Sequence, residues 1–255
     1  MTSSTPRIAL ITGGSRGLGR SGALKLAAHG VDVVITYRSK RVEADDVVAQ
    51  ITKLDRRAVA LPLDVGVSAS FPAFAQTLRA TLKQHWQREQ LDFLVNNAGM
   101  GAHASIAETT EAQFDALMNV HLKGPFFLTQ ALLPLLADGG RILNISSGLA
   151  RFALPGYGAY AMMKGGIEVL TRYMAKEFGA RGIAVNTLAP GAIATDFGGA
   201  VVRDNPEVNK YIASQTALGR VGLPDDIGDV MASLLSPETH WINAQRIEAS
   251  GGMFL

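Results

Sequence analysis

The chain has no cysteine, which excludes disulfides, thiolate nucleophiles and Cys-based zinc sites. No apolar run is long enough to span a bilayer. Net charge is only +2, too small a field to suggest nucleic acid or a membrane surface as a partner. The five histidines (His29, His85, His103, His121 and His240) lack metal-ligand spacing, so no metal site is expected. Each reads as a surface or core residue, with His103 placed to meet a ligand. Asp225, Asp226 and Asp229 follow Pro224 and read as the acidic start of a helix rather than a metal cluster. Residues 1–6 lack the hydrophobic core of a secretory signal and read as a short polar tail. No repeat, low-complexity tract or linker divides the sequence, so a single cytoplasmic domain is expected.

What is present is a globular composition, 47% hydrophobic and 18% charged, with 27 glycines among 255 residues. Short apolar runs occur at residues 8–11, 31–37, 58–63, 91–95, 141–145, 183–188 and 245–248. The early runs are β-branched and almost continuously apolar, as strands covered on both faces are. Between them lie stretches of helical length and periodicity at 18–29, 68–86, 111–136 and 157–179. This alternation predicts one α/β domain: a doubly wound parallel sheet of about seven strands with helices on both faces.

In such sheets ligands bind beyond the carboxyl ends of the strands. Unusual residues follow six of the predicted strands. Thr12, Gly13 and Gly14 follow the first, Tyr37 and Arg38 the second, and Asp64 and Val65 the third. Asn96, Asn97, Ala98 and Gly99 follow the fourth, Ser146 and Ser147 the fifth, and Ala189, Pro190 and Gly191 the sixth. All six sets fall on one edge.

The first loop runs T-G-x-x-x-G-x-G through Gly13, Ser15, Arg16, Gly17, Leu18 and Gly19. Its glycines permit a tight turn, and the helix that follows offers N–H groups to a pyrophosphate. After the second strand, Tyr37, Arg38 and Ser39 stand where an acid would hold ribose hydroxyls, and no acid occurs until Glu43. Arg38 and Arg16 suit a 2′-phosphate, which predicts NADP(H) rather than NAD(H).

Tyr160 and Lys164 share a helical face at i and i+4. A nearby ammonium favours phenolate, so Tyr160 is expected to have a lowered pKa and to act as general acid or base. Ser147 is placed to stabilise an oxyanion. Asn119 is placed to hold a water linking Lys164 to solvent. Taken singly, Ser147 reads equally as an ordinary strand-end hydroxyl and Asn119 as an ordinary helical amide.

Together these motifs resemble the short-chain dehydrogenase/reductase family over essentially the whole chain. The resemblance implies a single-domain Rossmann fold and a catalytic tetrad of Asn119, Ser147, Tyr160 and Lys164. It also implies that Asp64 and Val65 contact adenine, that Asn96 supports the sheet and cofactor, that Lys164 also binds the nicotinamide ribose, and that Ile193 and Thr195 hold the carboxamide. Asn97, Ala98, Gly99, Pro190 and Gly191 join the cofactor edge. A homotetramer, or a homodimer, is implied, packed through the helices after the fourth and fifth strands, with the C-terminal tail near the interface.

The nearest resemblance within the family is to 3-oxoacyl-acyl-carrier-protein reductases and to sugar- or ketone-reducing relatives. Arg181 matches a place that docks an acidic carrier, but Asp138 would repel one. Ser250 departs from the usual Asp-Gly-Gly ending. Met100, Ala150, Phe152, Tyr157 and Phe197 are candidate substrate contacts, and residues 196–220, broken at Asn205 and Pro206, are a candidate lid.

Overall fold

The computed structural model describes residues 6–255, so the expected polar tail lies outside the described residues except for Pro6. Seven parallel strands form one sheet: β1 Ile8–Ile11, β2 Asp32–Tyr37, β3 Ala58–Pro62, β4 Leu91–Asn96, β5 Leu136–Ile145, β6 Ala184–Pro190 and β7 Arg246–Ala249. Their order is β3-β2-β1-β4-β5-β6-β7. The order reverses between β1 and β4, and the crevice at that switch point is where such sheets bind ligands.

Helices cover both faces. On one face α1 Gly17–Ala28, α2 Arg41–Thr52 and α9 Pro224–Leu234 bury Leu26, Val47, Ile51, Ile227 and Met231 against the sheet. On the other, α3 Phe71–Trp86, α5 Gly124–Leu132 and α6 Gly158–Phe178 bury Phe74, Leu78, Leu82, Leu128 and Met174. Because both faces are covered, the central strands are apolar without alternation, as the sequence pattern implied. The acidic trio belongs to α9, and two of the three fasten it to α1, while Asp226 pairs with Arg220. Asp225 accepts from the Ser21 hydroxyl at 2.6 Å, and Asp229 pairs with Lys25 at 3.0 Å. No group of residues that could hold a metal ion occurs among the described residues.

Two stretches differ from the sequence pattern. The expected helix over 111–136 is broken. It begins as α4, Glu111–Met118, with a Thr110–Gln113 capping box, passes through a π-helical turn at Asn119–Lys123, and resumes as α5. The fifth strand also starts earlier than the apolar run at 141–145, at Leu136. Leu136 already pairs with Leu91, and an irregularity between Leu91 and Phe93 absorbs the extra residues. Gly139, at φ +75°, supplies the backbone conformation this requires.

Candidate active site

The glycine loop is fastened to the loop after β4. Thr12 is buried, and its hydroxyl accepts from the N–H of Asn97 at 2.9 Å and of Ala98 at 3.0 Å. The Asn97 amide returns a bond to the Thr12 carbonyl at 2.8 Å. Gly19, expected at the cofactor, does not line the cleft. A Cβ there would collide with the Gly13 carbonyl oxygen, so Gly19 permits the close approach of α1 to the strand loops. The start of α1 has no side-chain cap and no acid in its first turn. Its N–H groups and positive end remain available to an anion.

A cleft of about 510 Å³ opens over the carboxyl ends of the strands. Gly13, Ser15, Arg16, Gly17 and Leu18 line one end, with Tyr37, Arg38 and Ser39 beside them. Lys40, which the sequence expectation passed over, lines the same corner. Arg16 is 3.8 Å from Asp196, and both side chains are exposed, so that pair is weak and leaves the guanidinium available. Asp64 and Val65 form one wall, and the Asp64 carboxylate accepts from the Gly66 N–H at 2.8 Å. Asn97, Ala98, Gly99, Pro190, Gly191, Ile193 and Thr195 complete the cleft toward its far end. This cradle fits a dinucleotide: an uncapped helix start sits at its centre and three cations at one end, with no acid on the second-strand corner.

The far end carries the chemistry. Ser147, at the end of β5, lines the cleft with Tyr160 and Lys164 from α6. A buried polar ladder sets the register beneath them. The Asn96 amide donates to Asn144 at 2.8 Å, Asn144 donates to the Thr171 hydroxyl at 2.9 Å, and the Thr187 hydroxyl meets that of Thr171 at 2.7 Å. This ladder locks α6 against β4, β5 and β6, so Asn96 supports the sheet, while it does not itself line the cleft. Lys164 is buried, and its Nζ donates to the Ile145 carbonyl at 2.7 Å.

The electrostatics of the pair run against the simple expectation. Tyr160 is buried, and desolvation of the phenolate pushes its pKa above the ordinary value; a hydrogen bond with Ser147 opposes that rise. Burial also lowers Lys164, to about 7. The expected lowering of Tyr160 by a full neighbouring charge is therefore not found in the protein alone. Desolvation outweighs it and weakens the cation that was to cause it.

The broken helix carries a second polar residue beside the expected Asn119, and this one, His121, reaches the cleft. Asn119 does not line the cleft, whereas Val120 and His121 do. The π-turn begins at Asn119, whose carbonyl accepts from the Gly124 N–H, and the inserted residue rotates the face presented inward. The His121 ring is buried edge-on to Tyr160, with centroids 5.1 Å apart and planes at 86°. Its Nε2 lies 2.7 Å from the Met100 carbonyl oxygen and 3.2 Å from the Met100 backbone nitrogen, so either tautomer ties the ring to Met100. Burial, with help from the Lys164 charge, holds its pKa at about 3, so the ring is neutral. A histidine two positions after the expected asparagine was the available sequence signal, hidden by the assumption of a regular helix.

Of the candidate substrate contacts, Met100, Phe152, Tyr157 and Phe197 line the cleft and Ala150 does not. His103 packs on Tyr157, with centroids 5.0 Å apart, and does not line the cleft. The candidate lid forms a 3-10 turn at Phe197–Ala200, then α7 Val201–Asp204 and α8 Pro206–Ser214. Asn205 caps α8 by accepting from the N–H of Glu207 and Val208. Phe197 lies 5.8 Å from the Tyr160 ring, while Val202 and Ile212 also face the cleft.

A family model described as enoyl-(acyl carrier protein) reductase matches residues 13–254. The chain belongs to the short-chain dehydrogenase/reductase family. It is accordingly an oxidoreductase with a Rossmann fold, and the expectations of family and fold hold. A hydroxynaphthalene reductase-like protein, Arp2 of Metarhizium brunneum, is 35% identical over 257 residues, covering 96% of this chain and 94% of that protein. The solved promiscuous reductase LugOII, of lugdunomycin biosynthesis, superposes with a TM-score of 0.93 at 40% identity, covering 98% and 99% of the two chains. The angucycline C-6 ketoreductase LanV, solved with bound NADP, superposes with a TM-score of 0.92 at 38% identity, covering 97% and 95%.

Proposed function

We propose that this enzyme is an NADP(H)-dependent ketoreductase, acting reversibly between a fused-ring or similarly flat apolar ketone and its secondary alcohol. The observation that carries this reading is one continuous cleft. Arg16, Arg38 and Lys40 sit at one end, and Ser147, Tyr160 and Lys164 lie where Phe152, Tyr157 and Phe197 form an aromatic wall. The ketone-reducing activities named for LugOII and LanV, and the NADP bound to LanV, support it.

NADPH supplies a hydride to the carbonyl carbon when bound. The Tyr160 hydroxyl gives its proton to the carbonyl oxygen as that oxygen gains the electron pair of the C=O π bond. Ser147 donates a hydrogen bond to the same oxygen as its charge grows. Protonated Lys164 favours the tyrosinate left behind and would bind a ribose hydroxyl of the cofactor. Asp64 and Val65, which line the cleft, would hold the adenine, and Ile193 and Thr195 the carboxamide.

A 3-oxoacyl-carrier-protein reductase is less well supported, because Arg181 is already engaged. It pairs with Asp138 at 2.7 Å and donates to the carbonyls of Leu133 and Leu136. We further propose a homotetramer, with a homodimer as the simpler form. Phe126 and Phe127 of α5 and Met162, Val169 and Tyr173 of α6 leave large apolar side chains exposed.

NADPH oxidation across a panel of fused-ring aromatic ketones, small ketones and β-ketoacyl thioesters tests the substrate class. Turnover favouring the fused-ring ketones is expected. Turnover confined to thioesters overturns the reading in favour of acyl reduction, and tight NADPH binding without turnover points to a sensor.

A further inference from the structure

β7 carries a carboxylate that the reductase chemistry does not use. Arg151 grips Glu248 with two nitrogens, Nε to Oε2 at 2.8 Å and Nη2 to Oε1 at 2.7 Å. Arg246 donates to Oε2 at 2.8 Å, and the Ser250 hydroxyl donates to Oε1 at 2.7 Å. These donors, Arg151 foremost, hold Glu248 ionised with its pKa down at about 2. Ser250, the departure from the usual ending, thus finds its partner in Glu248.

Arg151 also holds the tail, donating to the Met253 carbonyl at 2.7 Å and the Phe254 carbonyl at 3.1 Å. Its guanidinium lies 5.3 Å from the Phe152 ring centre, and Phe152 packs on Phe254 with centroids 4.8 Å apart. The tail reaches the end of the lid as well. The N–H groups of Ala217 and Leu218 bond the carbonyls of Gly252 and Gly251, and the Phe254 N–H bonds Gln215. Phe152 and Met253 line the cleft; Arg151 and Glu248 do not.

We propose that the Arg151–Glu248 pair is a specificity-determining clamp, which fixes the C-terminal tail and thereby sets the Phe152–Met253 wall against which the body of a ketone packs. The proposal rests on the reading of this cleft as a ketone site. An isolated exposed ion pair contributes little. A two-point guanidinium–carboxylate grip inside a network, with backbone carbonyls as further acceptors, defines position as well as energy. A small ketone meets Tyr160 without needing this wall, whereas a fused-ring ketone presses on it, so loosening the clamp separates the two.

The test compares wild type with Arg151→Gln and Glu248→Gln, using tetralone as the fused-ring ketone and diacetyl as the small one. Calorimetry gives the Kd of tetralone on the NADP⁺-loaded protein, and NADPH oxidation gives KM for both ketones. In the variants, tetralone Kd and KM should rise about tenfold, with diacetyl KM and NADPH affinity unchanged. Arg151→Lys keeps the charge but loses the fork; it should show an intermediate loss, and it carries the comparison if a glutamine variant does not fold. Unchanged tetralone binding, or equal weakening for both ketones, overturns the clamp. Tyr160→Phe is measured alongside: turnover retained there overturns the catalytic reading, while the tetralone Kd comparison still decides the clamp.

Discussion

The Lys164 ammonium lies 5.5 Å from the centre of the Tyr160 ring, and both side chains are buried. Burial disfavours the charged form of each, so Tyr160 rises and Lys164 falls to about 7. The folded pKa of Lys164 is below its unfolded value of 10.5, so the unfolded chain binds more protons between pH 7 and 10.5. This group therefore opposes folding below about pH 7, and its penalty fades as pH rises through that window. Lys164→Met should stabilise the cofactor-free protein by on the order of 4 kcal/mol near pH 6 and by little near pH 10. Chemical denaturation at both pH values measures it; equal effects at the two would contradict the burial argument.

His121, not Asn119, is the residue of the broken helix that meets Tyr160. His121→Phe keeps an aromatic edge but loses the bond to Met100, and should lower kcat about tenfold or more. Asn119→Ala should leave kcat within about threefold. The reverse order in steady-state assays would give Asn119, not His121, the larger part in turnover.

Arg16, Arg38 and Lys40 share one end of the cleft. Arg38→Asp should weaken NADPH by about a hundredfold while leaving NADH nearly unchanged, because the new charge opposes only the 2′-phosphate. Comparing kcat/KM for the two cofactors checks this, and a variant that still prefers NADPH as the wild type does would remove Arg38 from that role.

The strands, their common edge and most of the cofactor cradle were legible in the sequence, because a sheet covered on both faces writes itself as apolar runs. Glycine loops and strand-end polar residues mark the edge equally openly. The π-turn at Asn119–Lys123 was not legible, since one inserted residue changes which side chains face inward without disturbing the apolar pattern. The direction of the Tyr160 shift was hidden too. Spacing on a helix reveals that Lys164 is near, but not that both groups are dry. Arg181 likewise read as a free docking cation, and only the fold brings Asp138 and two carbonyls to it.

In the proposed reaction Tyr160 moves the proton. The most direct measurement is Tyr160→Phe, assayed for NADPH binding by fluorescence titration and for ketone reduction by NADPH oxidation. Cofactor affinity should stay within about twofold while turnover falls by at least a hundredfold. A variant that binds NADPH normally and still reduces ketone within about tenfold of the wild-type rate would contradict the account.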